Sequence, residues 1–120
     1  MEGIERKLPG KKNGNCCPVA VITLERLLQK YDVKKVDLLI IDVEGAELPV
    51  LGSFPWQSAS VEKIFYELHP YAWKDFDYCA EDFRKFLRDH GYRCFDMYFQ
   101  EHNIFKSAAY IGPSILVPSR

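Results

Sequence analysis

The chain has 120 residues, of which 16 are basic and 17 are acidic, so its formal net charge is only −1. That length accommodates one domain at most, and 48% of the residues are hydrophobic and can build its core. The balanced charge produces no field that would concentrate nucleic acid or an anionic membrane, so we exclude both as expected partners.

The apolar segments argue against a membrane-spanning or secreted protein, and the cysteines argue against a metal or redox centre. No apolar run approaches the roughly 20 residues that span a bilayer, and residues 1–12 have no apolar signal-peptide core. A cytoplasmic location is therefore the default prediction. The four cysteines form no CxxC pair, and we interpret them as structural thiols rather than as a metal or redox centre.

The first predicted elements precede the most apolar stretch of the chain. Residues 1–18 are rich in Lys, Gly, Asn and Pro and are expected to be a flexible lead-in. Residues 19–22 favour a short edge strand. A helix should then begin after the N-cap Thr23 and end near Asp32. One face of this helix collects four apolar side chains, namely Leu24, Leu27, Leu28 and Tyr31.

The chain is organised around residues 36–41 (VDLLII), a mostly apolar run without helical spacing. Such a run predicts a parallel strand that is buried on both faces. Asp42 and Glu44 follow where this strand should end. Ligands of parallel α/β sheets bind outside the carboxyl ends of the strands, so both carboxylates are candidate site residues.

A second strand with ionisable groups at its end follows a short helix. Residues 46–51 suggest that helix, which Pro49 should delay or shorten because proline removes an N–H donor. Residues 61–68 (VEKIFYEL) then predict another buried parallel strand. This strand ends in Glu67 and is followed by His69, so ionisable groups lie at its carboxyl end too.

The remaining chain predicts one clear helix and two strands. The helix covers residues 78–90, with Asp77 as its cap and Gly91 as the left-handed residue beyond its end. Residues 92–99 and 109–117 predict strands that pair antiparallel, since their connection is too short for a helical crossover. A Gly-Pro pair favours an edge position or a break for the last strand. This order of elements predicts an α/β layered sheet with right-handed crossovers.

Residues 36–51 (VDLLIIDVEGAELPVL), followed by the Glu-Leu-His-Pro segment at 67–70, resemble the FkbM-type family of S-adenosylmethionine-dependent methyltransferases. The likeness covers roughly residues 22–117. It implies a partial Rossmann-like class I methyltransferase sheet flanked by helices, in which the strands are the fourth to seventh of the family's fold and the last pair is antiparallel. Residues 19–120 would then be the C-terminal half of an FkbM-like domain.

The chain departs from the family pattern both within this stretch and upstream of it. Ile40 stands where the family commonly has lysine, and Pro49 lies within the family's helix. The family binds its cofactor with a glycine-rich loop after the first strand, whereas Gly3, Gly10 and Gly14 follow no predicted strand. The resemblance therefore implies S-adenosylmethionine as cofactor, on a chain without the usual cofactor loop.

The candidate catalytic residues are Asp42, Glu44, Glu67 and His69. The resemblance implies methyl transfer to oxygen of a small-molecule, glycan or lipid-linked acceptor. In this scheme Asp42 lines the crevice and contacts the cofactor, and Glu67 orients the substrate. Glu44 or His69 accepts the proton of the acceptor hydroxyl. Simpler roles stay open, because Glu44 and Glu47 can cap the following helix and His69 can be a turn residue.

Two alternatives use the same features differently. A divalent cation could collect the four candidate groups, but no compact ligand spacing requires one, so the sequence predicts no metal. The chain could instead be a non-catalytic remnant or interaction module that keeps the second half of the fold and binds no cofactor by itself. Such a module could form a homodimer through the sheet edge that the missing first strand leaves open.

Overall fold

The computed structural model of the chain describes residues 19–101 and 112–119, so the predicted lead-in lies outside the described residues. The helices are α1 (Leu24–Lys30), α2 (Glu47–Gly52) and α3 (Ala80–His90), with a 3₁₀ helix at Pro70–Phe76. The strands are β1 (Lys35–Ile41), β2 (Ser60–Leu68), β3 (Tyr92–Phe95) and β4 (Gly112–Pro118). None of these described helices is long and apolar enough to cross a membrane.

One four-stranded sheet with the order β1-β2-β4-β3 joins the described strands. β1 and β2 run parallel, with Ile41 paired to Tyr66, and β4 runs antiparallel to both β2 and β3. The predicted α/β class and the antiparallel last pair are confirmed. Of the two alternatives predicted for the last strand, an edge position or a break, the edge position is wrong, because β4 lies between β2 and β3. Its Gly-Pro pair forms the first two residues of the strand. The N–H donor that proline lacks therefore interrupts only the end of the hydrogen-bond ladder.

The side chains of β1 are more exposed to solvent than its sequence predicts. Leu38 and Ile40 are 53% and 65% exposed, whereas Ile41 is buried. The prediction of a strand buried on both faces is therefore wrong. Among the described strands β1 pairs only with β2, so it forms an edge of the described sheet. Leu38 and Ile40 point to the same face of the strand, and the described elements leave that face uncovered.

The core lies between β2 and α3. Alternate side chains of β2, those of Ile64, Tyr66 and Leu68, are at most 1% exposed. Phe83 of α3 is fully buried, and its ring centroid lies 5.5 Å from that of Tyr66. Burying a side chain of this size contributes about 1.5–3 kcal/mol. This packing fixes the end of β2, and therefore fixes the position of His69.

The helix ends follow the capping chemistry of the sequence, with small shifts. Thr23 Oγ1 accepts the backbone N–H of Arg26, which confirms the predicted N-cap of α1. α3 begins later than predicted, because Cys79 occupies its N-cap and the carboxylate of Asp82 accepts the Cys79 N–H. Asp77 is therefore not the cap of α3. It ends the 3₁₀ helix instead, with a left-handed φ of 59°.

α2 is a helix of six residues, as short as Pro49 led us to expect. The proline occupies the first turn of the helix, where backbone N–H groups have no intrahelical acceptor in any case. Pro49 therefore breaks no hydrogen bond of α2. At the end of α3, Gly91 has a φ of 66°, which confirms the predicted left-handed residue.

Two predicted strand segments are wrong. Residues 19–22 form no strand, because no described strand lies beside them to pair with their backbone groups. β3 stops before its predicted end, because Asp96 Oδ1 accepts the N–H groups of Tyr98 and Gln100 and turns the chain. Such side-chain bonds compete with strand pairing. The first part of the last predicted strand, residues 109–111, lies outside the described residues.

Candidate functional site

The candidate site lies where the carboxyl ends of β1 and β2 meet. The strands are parallel neighbours, so Asp42 directly after β1 comes close to His69 directly after β2. Asp42 Oδ1 lies 3.9 Å from His69 Nε2, and Glu44 Oε2 lies 3.6 Å from the same nitrogen. A carboxylate oxygen of Glu67 lies within 4.8 Å of the facing atoms of Asp42 and His69. The structure thus brings together all four residues that the sequence proposed.

A left-handed turn after β1 places Glu44 beside the imidazole. Glu44 and Gly45 have φ angles of 49° and 108°, and such a conformation costs a residue with a side chain about 1–3 kcal/mol. A Cβ added at Gly45 would lie 2.5 Å from the Cβ of Ala72 and 3.2 Å from the ring of Phe76. The turn therefore packs against the 3₁₀ helix at a distance that only glycine allows, and this contact holds Glu44 near His69.

At the centre of the cluster is Glu47, which the sequence indicated only as a helix cap. Its side chain is fully buried at the start of α2. Oε1 lies 2.7 Å from His69 Nδ1 and accepts the N–H of Gly45 at 3.1 Å. Oε2 accepts the indole N–H of Trp73 at 3.0 Å and the hydroxyl of Tyr78 at 2.9 Å. Both oxygens are occupied inside the protein, so this carboxylate holds its neighbours in place.

The Glu47–His69 pair is a buried, charge-assisted hydrogen bond. Burial raises the pKa of Glu47, but hydrogen bonds from His69, the backbone and Tyr78 outweigh it and hold this pKa below its ordinary 4.5. Burial lowers the pKa of His69, but the hydrogen bond to Glu47 and the charge of Glu44 raise this pKa above its ordinary 6.5. Because a carboxylate only accepts hydrogen bonds, Nδ1 carries a proton. In the neutral ring, Nε2 therefore presents its lone pair towards Asp42 and Glu44.

Aromatic side chains from the segment after β2 frame this pair. Tyr71 donates its hydroxyl to Glu44 Oε2 at 2.6 Å, and its ring meets that of His69 edge-on at a centroid distance of 5.9 Å. The hydrogen bond to Glu44 raises the pKa of Tyr71. Trp73 stacks on Tyr78 with 5.3 Å between their ring centroids. The imidazole and its two neighbouring carboxylates therefore lie against an aromatic frame.

Sequence reasoning missed Glu47 as a site residue, because an acid in the first turn of a helix is an ordinary partner of the helix dipole. A signal for it exists further along the chain, in Trp73 and Tyr78. Their N–H and O–H groups require acceptors once the rings are buried. In this structure one carboxylate serves both, and the Tyr78 hydroxyl also reaches the carbonyl oxygen of Gly45 at 2.8 Å.

The open side of the cluster could receive a metal or a cofactor. Asp42, Glu67 and His69 each offer one metal-ligating atom, and these atoms lie within 4.8 Å of one another. The Asp42 side chain is 64% exposed, so a cationic group of a cofactor can reach it. Gly45 after β1 provides no cofactor cradle, because Ala72 fills the space beside it. Within the described ranges, Asp42 is thus accessible, without a glycine-rich loop beside it.

Comparison with known protein families matches residues 2–94 to the methyltransferase FkbM domain. The match begins nearer the N-terminus than the resemblance predicted, and it ends within β3, before β4. No curated protein and no solved structure matches the chain. Because the matched residues make up more than three quarters of the 120 residues, this chain belongs to the FkbM family of methyltransferase domains.

Proposed function

We propose that the chain forms part of an S-adenosylmethionine-dependent methyltransferase that methylates a hydroxyl oxygen. The observation that carries this proposal is the imidazole of His69, which is held at Nδ1 by the buried Glu47 and has no hydrogen bond at Nε2 from the described residues, beside Asp42 and Glu44. Methylation of a hydroxyl requires a group that takes up its proton. Membership of a methyltransferase family supports the transfer chemistry, and the strand-end cluster offers the proton acceptor.

The sheet topology supports a partial Rossmann-like class I methyltransferase fold. We assign β1, β2, β3 and β4 to the fourth, fifth, sixth and seventh strands of that fold. The order β1-β2-β4-β3, with the last strand antiparallel to both of its neighbours, agrees with this assignment. Residues 42–47 and 67–69 then occupy the edge of the sheet at which ligands of open α/β sheets bind.

Each of the four strand-end groups has a role in this proposal. S-adenosylmethionine, when bound, supplies a methyl group on a cationic sulfur. Asp42 lines the crevice and presents negative charge towards this cationic sulfur. Glu44 and His69 are the two groups placed to take up the hydroxyl proton, since Glu44 Oε2 and His69 Nε2 lie only 3.6 Å apart. Glu67 orients the acceptor from the end of β2.

Glu47 acts through His69 and is a positioning residue. Its hydrogen bond to Nδ1 fixes both the orientation of the ring and the nitrogen that carries the proton. Trp73 and Tyr78 in turn fix the carboxylate. The imidazole is therefore preorganised, and presenting Nε2 to a substrate requires little movement.

The proposed acceptor is a hydroxyl-bearing small molecule, a glycan or a lipid-linked compound. Tyr71 supports this class, because this residue is 59% exposed directly beside Glu44 and His69. An exposed aromatic ring next to the reacting groups offers an apolar surface with a polar edge. A sugar ring or another compact organic acceptor can pack on such a surface while its hydroxyl points towards the cluster.

The test follows formation of S-adenosylhomocysteine by the full protein with a panel of hydroxylated acceptors. The variants Asp42→Asn, Glu44→Gln and His69→Gln are compared with Glu81→Gln, which removes exposed ion pairs with Arg84 and Arg88 on α3. Loss of a general base lowers turnover by about 10²–10⁴-fold. We expect Glu44→Gln or His69→Gln to fall in that range, and Glu81→Gln to match the parent. Parent-like turnover in all three site variants would refute the assignment.

The open edge of β1 favours a second candidate function, that of a non-catalytic module. Its outward side chains Leu38 and Ile40 are more than half exposed, and β1 pairs only with β2 among the described strands. We propose a second copy of the chain as the occupant of this edge. A dimer in ultracentrifugation that Ile40→Lys makes monomeric would support the module. A monomer whose thermal unfolding temperature rises with S-adenosylmethionine would exclude it, because only a binding site produces that shift.

A further inference from the structure

The shared carboxyl edge of β1 and β2 carries negative charge that the described residues leave unbalanced. Four carboxylates surround His69, namely those of Asp42, Glu44, Glu47 and Glu67. No Lys or Arg within residues 19–101 and 112–119 forms an ion pair with any of them. A protonated imidazole offsets only one of these charges. An oxygen-rich group with excess negative charge favours binding of a cation.

The buried imidazole is an independent second observation. The His69 side chain is only 6% exposed, and its Nδ1 is bound to Glu47. Its Nε2 points towards Asp42 and Glu44 at 3.9 Å and 3.6 Å, distances that are too long for a hydrogen bond. In the described part of the chain, no side chain or backbone group hydrogen-bonds this nitrogen. Nε2 is therefore available to a ligand that lies between the two strand ends.

We propose that Asp42, Glu67 and His69 bind one divalent cation. The ligand atoms of these three residues already lie within 4.8 Å of one another. Bonds of about 2.0–2.3 Å to one ion require the donors to approach one another to about 3 Å. Asp42 can supply this movement by a change of rotamer, because its side chain is 64% exposed. His69 keeps its position, because Glu47 holds the other ring nitrogen.

Glu47 supplies the outer support that metal-bound histidines commonly have. A histidine that ligates a metal usually donates its second ring N–H to a carboxylate, which fixes the ring and makes it a better ligand. The bond between His69 Nδ1 and Glu47 Oε1, at 2.7 Å, has this arrangement before any ion binds. The site therefore combines one rigid nitrogen ligand with two carboxylate ligands.

The donor set favours manganese or magnesium over a soft metal. Two carboxylates suit hard cations, and the single imidazole shifts the preference towards Mn²⁺. Among residues 19–101 and 112–119, no cysteine belongs to this cluster, so the described part of the chain offers it none of the thiolates that select soft metals. We therefore assign the site to Mn²⁺, with Mg²⁺ as the expected weaker competitor.

The role of the cation in catalysis rests on the proposed function, whereas binding of the cation does not. A divalent cation that holds the acceptor oxygen lowers the pKa of the acceptor hydroxyl, because it stabilises the developing negative charge. Nε2 of His69 is then occupied by the ion. The hydroxyl O–H bond breaks towards Glu44, whose Oε2 lies 3.6 Å from Nε2 and takes up the proton. The cation thus assigns proton uptake to Glu44 and binding to His69.

The two tryptophans provide an internal test of where Mn²⁺ binds. Trp73 donates its indole N–H to Glu47, next to the proposed site. Trp56 donates its indole N–H to the carbonyl of Leu51 near the C-terminal end of α2, four residues after Glu47. At about 1.5 Å per residue, Leu51 lies about 6 Å farther along this helix than Glu47. Paramagnetic broadening falls steeply with distance, so Mn²⁺ added to the full chain should broaden the Trp73 indole signal more strongly than that of Trp56.

Variants of the full chain, without S-adenosylmethionine or acceptor, complete the test. Loss of a carboxylate that supports a metal-bound histidine weakens metal binding by about 10–100-fold. We expect Glu47→Gln to weaken Mn²⁺ binding by about this factor and Asp42→Asn to weaken it by more. Glu81→Gln should bind as the parent does. Asp42 is exposed, so its replacement keeps the fold.

Three results would overturn the site: no saturable binding, equal broadening of both indole signals, or parent-like binding by Asp42→Asn. Mn²⁺ binding without methyl transfer to any acceptor would retain the site and reject the proposed function. Methyl transfer that persists after treatment with EDTA would retain the function and reject the role of the cation in it.

Discussion

Replacing Glu47 by Gln tests how the buried carboxylate controls His69. Gln keeps the shape of Glu, but one carboxylate oxygen becomes an NH₂ group. The indole N–H of Trp73 can only donate, so the remaining oxygen must face Trp73 and Tyr78. The NH₂ group then occupies the position of Oε1, where it meets His69 Nδ1 and the N–H of Gly45.

This arrangement reverses the protonation of the neutral ring. Nδ1 of His69 must accept a hydrogen bond, so the proton moves to Nε2 and the lone pair at Nε2 is lost. The N–H of Gly45 loses its acceptor, which costs about 1–3 kcal/mol. Removing one partner of a buried ion pair costs about 3–5 kcal/mol when the other charge stays. Here the imidazole deprotonates instead, so we expect Glu47→Gln to cost about 1–3 kcal/mol.

Two measurements check this expectation. Urea unfolding at neutral pH gives the loss of unfolding free energy, and a domain with an ordinary stability of about 5–15 kcal/mol stays folded after such a loss. Proton–nitrogen NMR of the imidazole shows which nitrogen of His69 carries the proton. The control Glu81→Gln, in an exposed pair, should change stability by less than about 0.5 kcal/mol. Parent stability in Glu47→Gln, with the proton still on Nδ1, would refute the reasoning.

Further predictions concern the turn after β1 and the pH dependence of stability. Gly45→Ala should lower the unfolding free energy by about 2–5 kcal/mol, because it adds a side chain at a φ of 108° and places its Cβ 2.5 Å from that of Ala72. Gly52→Ala is the control, since no atom lies within 4 Å of its added Cβ, and equal urea midpoints for the two variants would contradict this account. The pKa of Glu47 is lowered on folding, so its contribution to stability is present above pH 4.5 and is lost as the pH falls through the folded-state pKa. The pKa of His69 is raised, so its contribution is full below pH 6.5 and is lost as the pH rises through the folded-state pKa. Urea unfolding in EDTA should therefore show a free energy of unfolding that declines on both sides of the weakly acidic range. If His69→Gln shows the same decline towards alkaline pH as the parent, the stabilising contribution of the Glu47–His69 pair is contradicted.

The sequence alone predicted those features that depend on a few neighbouring residues. Thr23 caps α1 because its hydroxyl reaches an N–H within the same turn, and Gly91 ends α3 because glycine adopts a positive φ without strain. Asp42 and His69 could be assigned to one edge because the apolar runs show where β1 and β2 end. Parallel neighbours place those ends together.

The burial of β1 required the tertiary structure. The run from residue 36 to residue 41 is apolar enough for a central strand, and nothing in it states how many layers cover the sheet. In the described structure β1 forms an edge, and Leu38 and Ile40 remain exposed although Ile41 is buried. An apolar run predicts that a strand forms, but the neighbours of that strand in the sheet decide which of its side chains are buried.

The identity of the central site residue also came only from the tertiary structure. A glutamate in the first turn of a helix favours the helix dipole whether it is exposed or buried, so the local sequence around Glu47 cannot distinguish the two cases. Its partners His69, Trp73 and Tyr78 lie 22, 26 and 31 residues away along the chain. Pairing of β1 with β2 and packing of the 3₁₀ helix on the turn at Gly45 bring these groups within hydrogen-bond distance. Sequence chemistry therefore determined where the site lies, and long-range packing decided which carboxylate organises it.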